Sequence, residues 1–173
     1  MDGILLVDKP SGMTSHDVVD RVRKAAHMRK VGHTGTLDPA ATGLLIICLG
    51  SATRLSEFLT GLDKEYRGTM TLGITTNSFD ADGTVESESD VPELSLENIR
   101  DYAIPYTGTI TQIPPMVSAV KVGGKRLHKL ARKGEVVDRP SREVTISRLD
   151  IYDWSSPSAT FVIQCTTGTY VRS

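Results

Sequence analysis

Cysteine is nearly absent from this chain: Cys48 and Cys165 stand far apart among 173 residues, each in an apolar, strand-like run. Neither belongs to a Cys-x-x-Cys pair and the four histidines are scattered, which excludes a disulfide framework and a structural zinc site. Both thiols read as small core residues in a reducing compartment. Long hydrophobic runs are missing as well. The N-terminal run, residues 4–7, meets Asp8 and Lys9 at once, so it suits neither a signal peptide nor a membrane span. A cytoplasmic protein is therefore expected. Internal repeats are lacking, and no Gly-rich stretch ends in the Gly-Lys-Ser/Thr of a phosphate-cradling loop. Base is scarce over residues 68–120, where Arg100 stands alone against acids from Asp80 to Asp101. The reverse holds over 121–148, where Lys121, Lys125, Arg126, Lys129, Arg132, Lys133, Arg139, Arg142 and Arg148 face only Glu135, Asp138 and Glu143. The net charge of -1 thus hides a basic segment, which points to a local polyanion contact rather than a wholly basic binder.

What the sequence does have is one unusual stretch, residues 32–43. Three glycines and three threonines surround His33 and Asp38, and the apolar run 44–49 follows. A lone carboxylate in a Gly-rich loop is placed to touch a ligand, since glycine allows another backbone to come close. Asp38-Pro39 also fits a helix start, with Asp as cap and Pro at the first helical position. Both readings stay open at this point.

The remaining pattern gives α+β with a mainly antiparallel sheet. Strands are expected at 3–8, 44–49, 64–76, 107–112, 143–152 and 160–172. In the third, Tyr66, Gly68, Met70, Leu72 and Ile74 share one side; in the last, Tyr170 and Arg172 share a face. Thr14 or Ser15 caps a helix facing inward through Val18, Val19, Val22 and Ala26. Ser51 caps another through Leu55, Phe58, Leu59 and Leu62, and Ser95 a third through Leu96, Ile99 and Ala103. Residues 116–142 read as a basic excursion, mobile until it meets RNA, with a short helix at about 125–133. Lys125, Arg126, Lys129 and Arg132 are its expected phosphate contacts.

Five pieces stand together: Lys9-Pro10-Ser11-Gly12-Met13-Thr14-Ser15, the stretch 32–43, Lys64-Glu65-Tyr66-Arg67-Gly68, Asp80-Ala81-Asp82-Gly83, and Gly168-Thr169-Tyr170-Val171-Arg172. In this order and spacing they closely resemble the TruB family, the tRNA pseudouridine-55 synthases (55 is the position in the tRNA). A guide-RNA-dependent relative, the dyskerin type, shares the central motif, whereas the long basic excursion resembles the stand-alone bacterial form. The resemblance implies the pseudouridine synthase fold: a mixed, mainly antiparallel central sheet flanked by helices, with the site in a central cleft. It implies isomerisation of a flipped uridine in the tRNA T-stem-loop by a monomer. No cofactor, metal, membrane, guide RNA or protein partner is expected. It assigns Asp38 as the catalytic carboxylate, Tyr66 as the ring stacked on the flipped base, and Arg172 as the arginine paired with Asp38. His33 would stack within the deformed T-loop, and Lys9, Asp80 and Tyr170 would support the cleft. Taken alone, each residue also has an ordinary reading: Tyr66 as core, His33 and Lys9 as turn residues, Asp80 in an Asx turn, Arg172 as a solvated charge.

Family members continue past the arginine strand and mostly add an RNA-binding domain of the PUA type. Residues 1–173 therefore look like an incomplete catalytic domain without that second domain, and such a fragment is expected to have little activity. Two other classes compete. An RNA-folding module would not need Asp38 or Arg172. A glycosidase-like hydrolase would normally need a second carboxylate, for which Asp80 is the one nearby candidate.

Overall fold

The computed structural model describes residues 1–116, 118, 121–122, 125–126 and 137–173. The chain divides into two compact units, Met1–Leu62 and Asp63–Ser173.

In the first unit, β1 (Gly3–Lys9) pairs antiparallel with β3 (Gly43–Leu49), which also takes the short β2 (Val31–His33) on its other side. Helix α1 (Ser15–Ala25) covers this sheet. Thr14 starts the helix in a reciprocal cap: its Oγ1 accepts from the Asp17 N–H, and Asp17 accepts from the Thr14 N–H. Arg23 and Lys24 lie in the last turn, where the helix dipole favours them. Val18 and Val19 then pack with Val31, Leu45, Ile47 and Leu49, an aliphatic core worth roughly 1.5–3 kcal/mol per buried side chain.

The second expected helix is not built as its apolar spacing suggests. A 3-10 segment, Gly50–Leu55, leads into a single α turn, α2 (Ser56–Thr60), and no side chain caps either. Leu55, Phe58 and Leu62 are 46%, 74% and 54% exposed. Hydroxyls explain the tight winding: Thr53 Oγ1 donates to the Gly50 carbonyl and Ser56 Oγ to the Thr53 carbonyl, each three residues back.

The second unit is built on a four-stranded antiparallel sheet in the order β4 (Lys64–Thr71), β11 (Ser158–Cys165), β10 (Arg142–Ser155), β7 (Gly108–Gln112). Alternation in β4 holds residue by residue, with Tyr66, Gly68 and Met70 inward and Glu65, Arg67 and Thr69 outward. Gly68 lies opposite Phe161, whose ring occupies the space a side chain would need. The run does not continue to residue 76, because Gly73 turns the chain at φ +80. Ile74–Thr76 (β5) then pairs with Val85–Glu88 (β6), a strand inside the acidic linker that its charge conceals. Helix α3 (Leu96–Ala103), capped by Ser95 with Asn98, buries Ile99 against Ile151 and Ala159. It is stitched to the sheet by Arg100 Nε donating to the Ile151 carbonyl at 2.8 Å.

Lys121–Val122 (β8) and Lys125–Arg126 (β9) form a small antiparallel pair, so the helix expected from about 125 does not begin there. Its remaining residues, with Lys129 and Arg132, lie outside the described residues. No described helix is long and apolar enough to cross a membrane.

Candidate active site

In the first unit the loop between β2 and β3 is tied down from below. Lys9 ends β1 with 0% of its surface exposed, and its Nζ donates to the carbonyls of Pro10 at 3.0 Å, Met13 at 2.7 Å and Pro39 at 3.1 Å. Three protons meet three acceptors. The ordinary reading of Lys9 as a surface turn residue is thus replaced by a buried tether that holds two loops together. The Gly12 N–H adds a bond to the Pro39 carbonyl at 2.9 Å. Ser15, buried at the start of α1, receives the Leu37 N–H on its hydroxyl at 2.9 Å.

Asp38 therefore sits between two fixed neighbours. Its carbonyl accepts from the Ala41 N–H at 3.1 Å, closing a turn over Asp38-Pro39-Ala40-Ala41, and the chain passes from there into β3. No helix begins at this Asp-Pro pair, so the capping reading is overturned. The reason lies downstream: the apolar run 43–49 is taken as the central strand of its sheet, leaving no residues for a helix.

His33 is not a turn residue but the last residue of β2, in register with Ile47. Burial holds its imidazole below the ordinary value of 6.5, opposed by a hydrogen bond with the Gly35 backbone. The fold therefore prefers the neutral ring, while the unfolded chain takes up its proton first on acidification. Stability should be complete above about pH 6.5 and fall as pH drops through that value towards the lower folded one. A His33→Gln variant, followed by denaturant midpoint against pH, should lose this part of the slope. An unchanged slope would assign it to other groups.

In the second unit Tyr66 is half-buried on the inner side of β4, against a cluster with Ile146, Ile163 and Cys165. Asp80 lies in the turn between β5 and β6, where its Oδ1 accepts the N–H of the next residue, Ala81, at 2.8 Å, one residue short of the reach of an Asx turn, and its carbonyl closes the turn by accepting the Gly83 N–H at 3.0 Å. The strand expected to run to Arg172 stops at Cys165. Thr169 folds back on Thr166, with both its N–H and hydroxyl donating to that carbonyl, and Gly168 takes φ +86. Tyr170 and Arg172 consequently share no strand face. They meet all the same: the Arg172 guanidinium lies 5.7 Å from the Tyr170 ring centroid, and Arg142 lies 4.8 Å from it. Arg172 Nη1 also donates to the Ser78 carbonyl at 3.1 Å, joining its turn to the Asp80 loop.

Two residues passed over in the sequence serve this turn. Arg142 donates to the Gly168 carbonyl. Gln112 exchanges hydrogen bonds with the Tyr170 backbone. The one signal for Gln112 was its place on the inward side of an alternating strand. Among the described residues no group of His, Cys, Asp and Glu is arranged to hold a metal ion.

Comparison with known proteins agrees with these motifs. Residues 23–171 match the model of the TruB family pseudouridylate synthase (N terminal domain). The tRNA pseudouridine synthase B of Opitutus terrae is 49% identical over 173 residues, covering 100% of this chain and 72% of the relative. That of Symbiobacterium thermophilum is 49% identical over 176 residues, with 59% of the relative covered. Among solved structures, a chain of a Cbf5-Nop10-Gar1 complex superposes with a TM-score of 0.73 at 31% identity, over 99% of this chain and 41% of that one. A chain of an H/ACA RNP bound to a substrate RNA containing 2'-deoxyuridine gives 0.68 at 26% identity, over 99% of this chain and 40% of that one. The chain thus spans only part of the length of each protein it matches. On the family match and these identities, the chain belongs to the TruB family of pseudouridylate synthases.

Proposed function

We propose that this chain carries the uridine-isomerising site for the T-loop of tRNA, with Asp38 as its catalytic carboxylate. The observation that carries the reading is the loop around Asp38. It is not a helix cap, and a buried lysine, a serine and a glycine N–H fix both of its flanks. A solvated turn has no need of such support, whereas a reacting carboxylate needs placement to about 0.5 Å.

The chemistry needs little else. The reaction breaks a C–N glycosidic bond, rotates the uracil and joins its C5 to the same sugar carbon. Bonds are exchanged within one nucleotide, so the balance requires neither an oxidant nor a phosphate donor. A carboxylate can trap the electron-poor sugar carbon, attack the base or remove a sugar proton. The base must leave its stack first, and an aromatic face such as Tyr66 returns roughly 1–3 kcal/mol of the lost stacking. The guanidinium of Arg172 would keep the carboxylate ionised once the base excludes water. His33, Asp80 and Tyr170 are proposed to shape the cleft. Lys9 supports it through its tether, and Lys125, Arg126, Lys129 and Arg132 are proposed to meet tRNA phosphates. Direct action on tRNA, with no guide RNA or protein partner, is supported by the names and higher identity of the bacterial relatives.

Tritium release from tRNA labelled at uridine C5, with free uracil assayed beside it, tests the reading. The chain is measured alone and extended by the C-terminal remainder of the Opitutus terrae relative. Isomerisation releases tritium without uracil. Free uracil would make the site a hydrolase, and neither product from tRNA-bound protein would make it an RNA-folding module.

A further inference from the structure

Past Cys165 the chain leaves the sheet, and among the described residues the segment that carries Tyr170 and Arg172 has no strand paired with it. Its backbone N–H and C=O groups still need partners. Those of Tyr170 are met by one side chain, to which the Ser173 N–H adds a bond to the Tyr170 carbonyl at 3.2 Å. Gln112 Oε1 accepts the Tyr170 N–H at 2.9 Å, and Gln112 Nε2 donates to the Tyr170 carbonyl at 2.9 Å and to the Ser173 carbonyl at 3.0 Å. A primary amide presents the same donor and acceptor pair as a peptide, so Gln112 pairs with Tyr170 as a neighbouring strand would.

Gln112 ends β7 on its inward side, two residues after Ile110, and is 6% exposed. A polar side chain in such a place is costly unless fully bonded. Here both amide protons and the carbonyl oxygen are used. Directly across the ladder lies Arg142, the register partner of Gln112. Arg142 donates to the Gly168 carbonyl and covers the Tyr170 ring, so one strand end grips the backbone of Tyr170 and its neighbour grips the ring. The ring in turn lies beside the Arg172 guanidinium.

We infer that Gln112 is a positioning residue for Arg172, acting as a one-residue substitute strand that locks the 170–173 turn. The inference rests on the isomerase reading for its catalytic consequence, but the lock itself is a property of the chain alone. Gln112→Met keeps length and packing while removing all three bonds. Gln112→Glu keeps an acceptor for the Tyr170 N–H and loses both donors.

Three readouts decide the matter. In Gln112→Met, hydrogen exchange at the Tyr170 amide should accelerate by roughly tenfold or more while the β7–β10 ladder stays protected. In Gln112→Glu that amide should stay slow, yet the Arg172 Nε–Hε resonance should shift in both variants. In the extended protein kcat should fall roughly tenfold or more with KM for tRNA unchanged. Parental exchange at Tyr170 in Gln112→Met would overturn the inference. So would loss of the β7–β10 protection together with Tyr170, which would make Gln112 an ordinary strand residue. Parental kcat in a variant whose Arg172 resonance has moved would overturn it too. If the parent protein itself releases no tritium, the isomerase reading fails, and exchange and resonance still decide the lock.

Discussion

Asp38→Asn should leave a protein that melts like its parent, binds tRNA as tightly, and isomerises about a thousandfold or more slowly. The side chains differ by one atom, and asparagine serves the first position of a turn as well as aspartate. The carbonyl that accepts from Ala41 is unchanged by the substitution. Stability should therefore stay within about 0.5 kcal/mol. An amide is a poor nucleophile and a poor base, so only the chemical step should suffer. Melting temperature, tRNA affinity and tritium release on the extended protein separate the outcomes. Turnover near the parental rate would remove Asp38 from the chemistry and leave it a turn residue.

Lys9→Met should act through stability first. Methionine fills much of the same volume but takes this donor from the Pro10 and Met13 carbonyls and leaves the Pro39 carbonyl with the Gly12 N–H alone. At about 1–3 kcal/mol for each buried acceptor left unsatisfied, and allowing for water reaching some of them, a loss of roughly 3 kcal/mol is expected. For a chain of this size that is a fall in melting temperature of about 6–12 °C. Turnover should drop as well, even well below the new melting point, because Pro39 is both the acceptor and the neighbour of Asp38. A variant that melts like its parent would show that the three bonds carry no net stability. One that is destabilised but turns over normally would show that the loop holds its shape without them.

Lys9 also marks the boundary between what the sequence discloses and what it hides. Local devices were legible because each is complete within a few residues. Thr14 with Asp17, Ser95 with its helix, and the alternation along β4 all appear where expected. Elements that depend on distant partners were not. The short strands β2 and β6 have three and four residues, too few for any periodicity, and exist because β3 and β5 lie beside them. The site divides in the same way. Asp38, Tyr66 and Arg172 stand out through their motifs, whereas the tether on Pro39 and the grip of Gln112 on Tyr170 join residues separated widely in sequence. Asp38-Pro39 was ambiguous because a helix start and this turn use the same two residues, and the choice was made by the strand that follows.

The position of β11 at the heart of its sheet has a consequence for biosynthesis. It pairs with β4 across about ninety intervening residues, and with β10 across a hairpin. As the chain leaves the ribosome, Met1–Leu62 has all its strands and its helix in hand early, and can close while the rest is still being made. β4 emerges next and finds no partner. Its alternating face, with Tyr66 and Met70, waits until β11 is synthesised, a wait of about five to twenty seconds at ordinary elongation rates. Arg67 and Glu65 on its other face are then more than surface decoration: a charged edge is what keeps a waiting strand from pairing with the wrong neighbour.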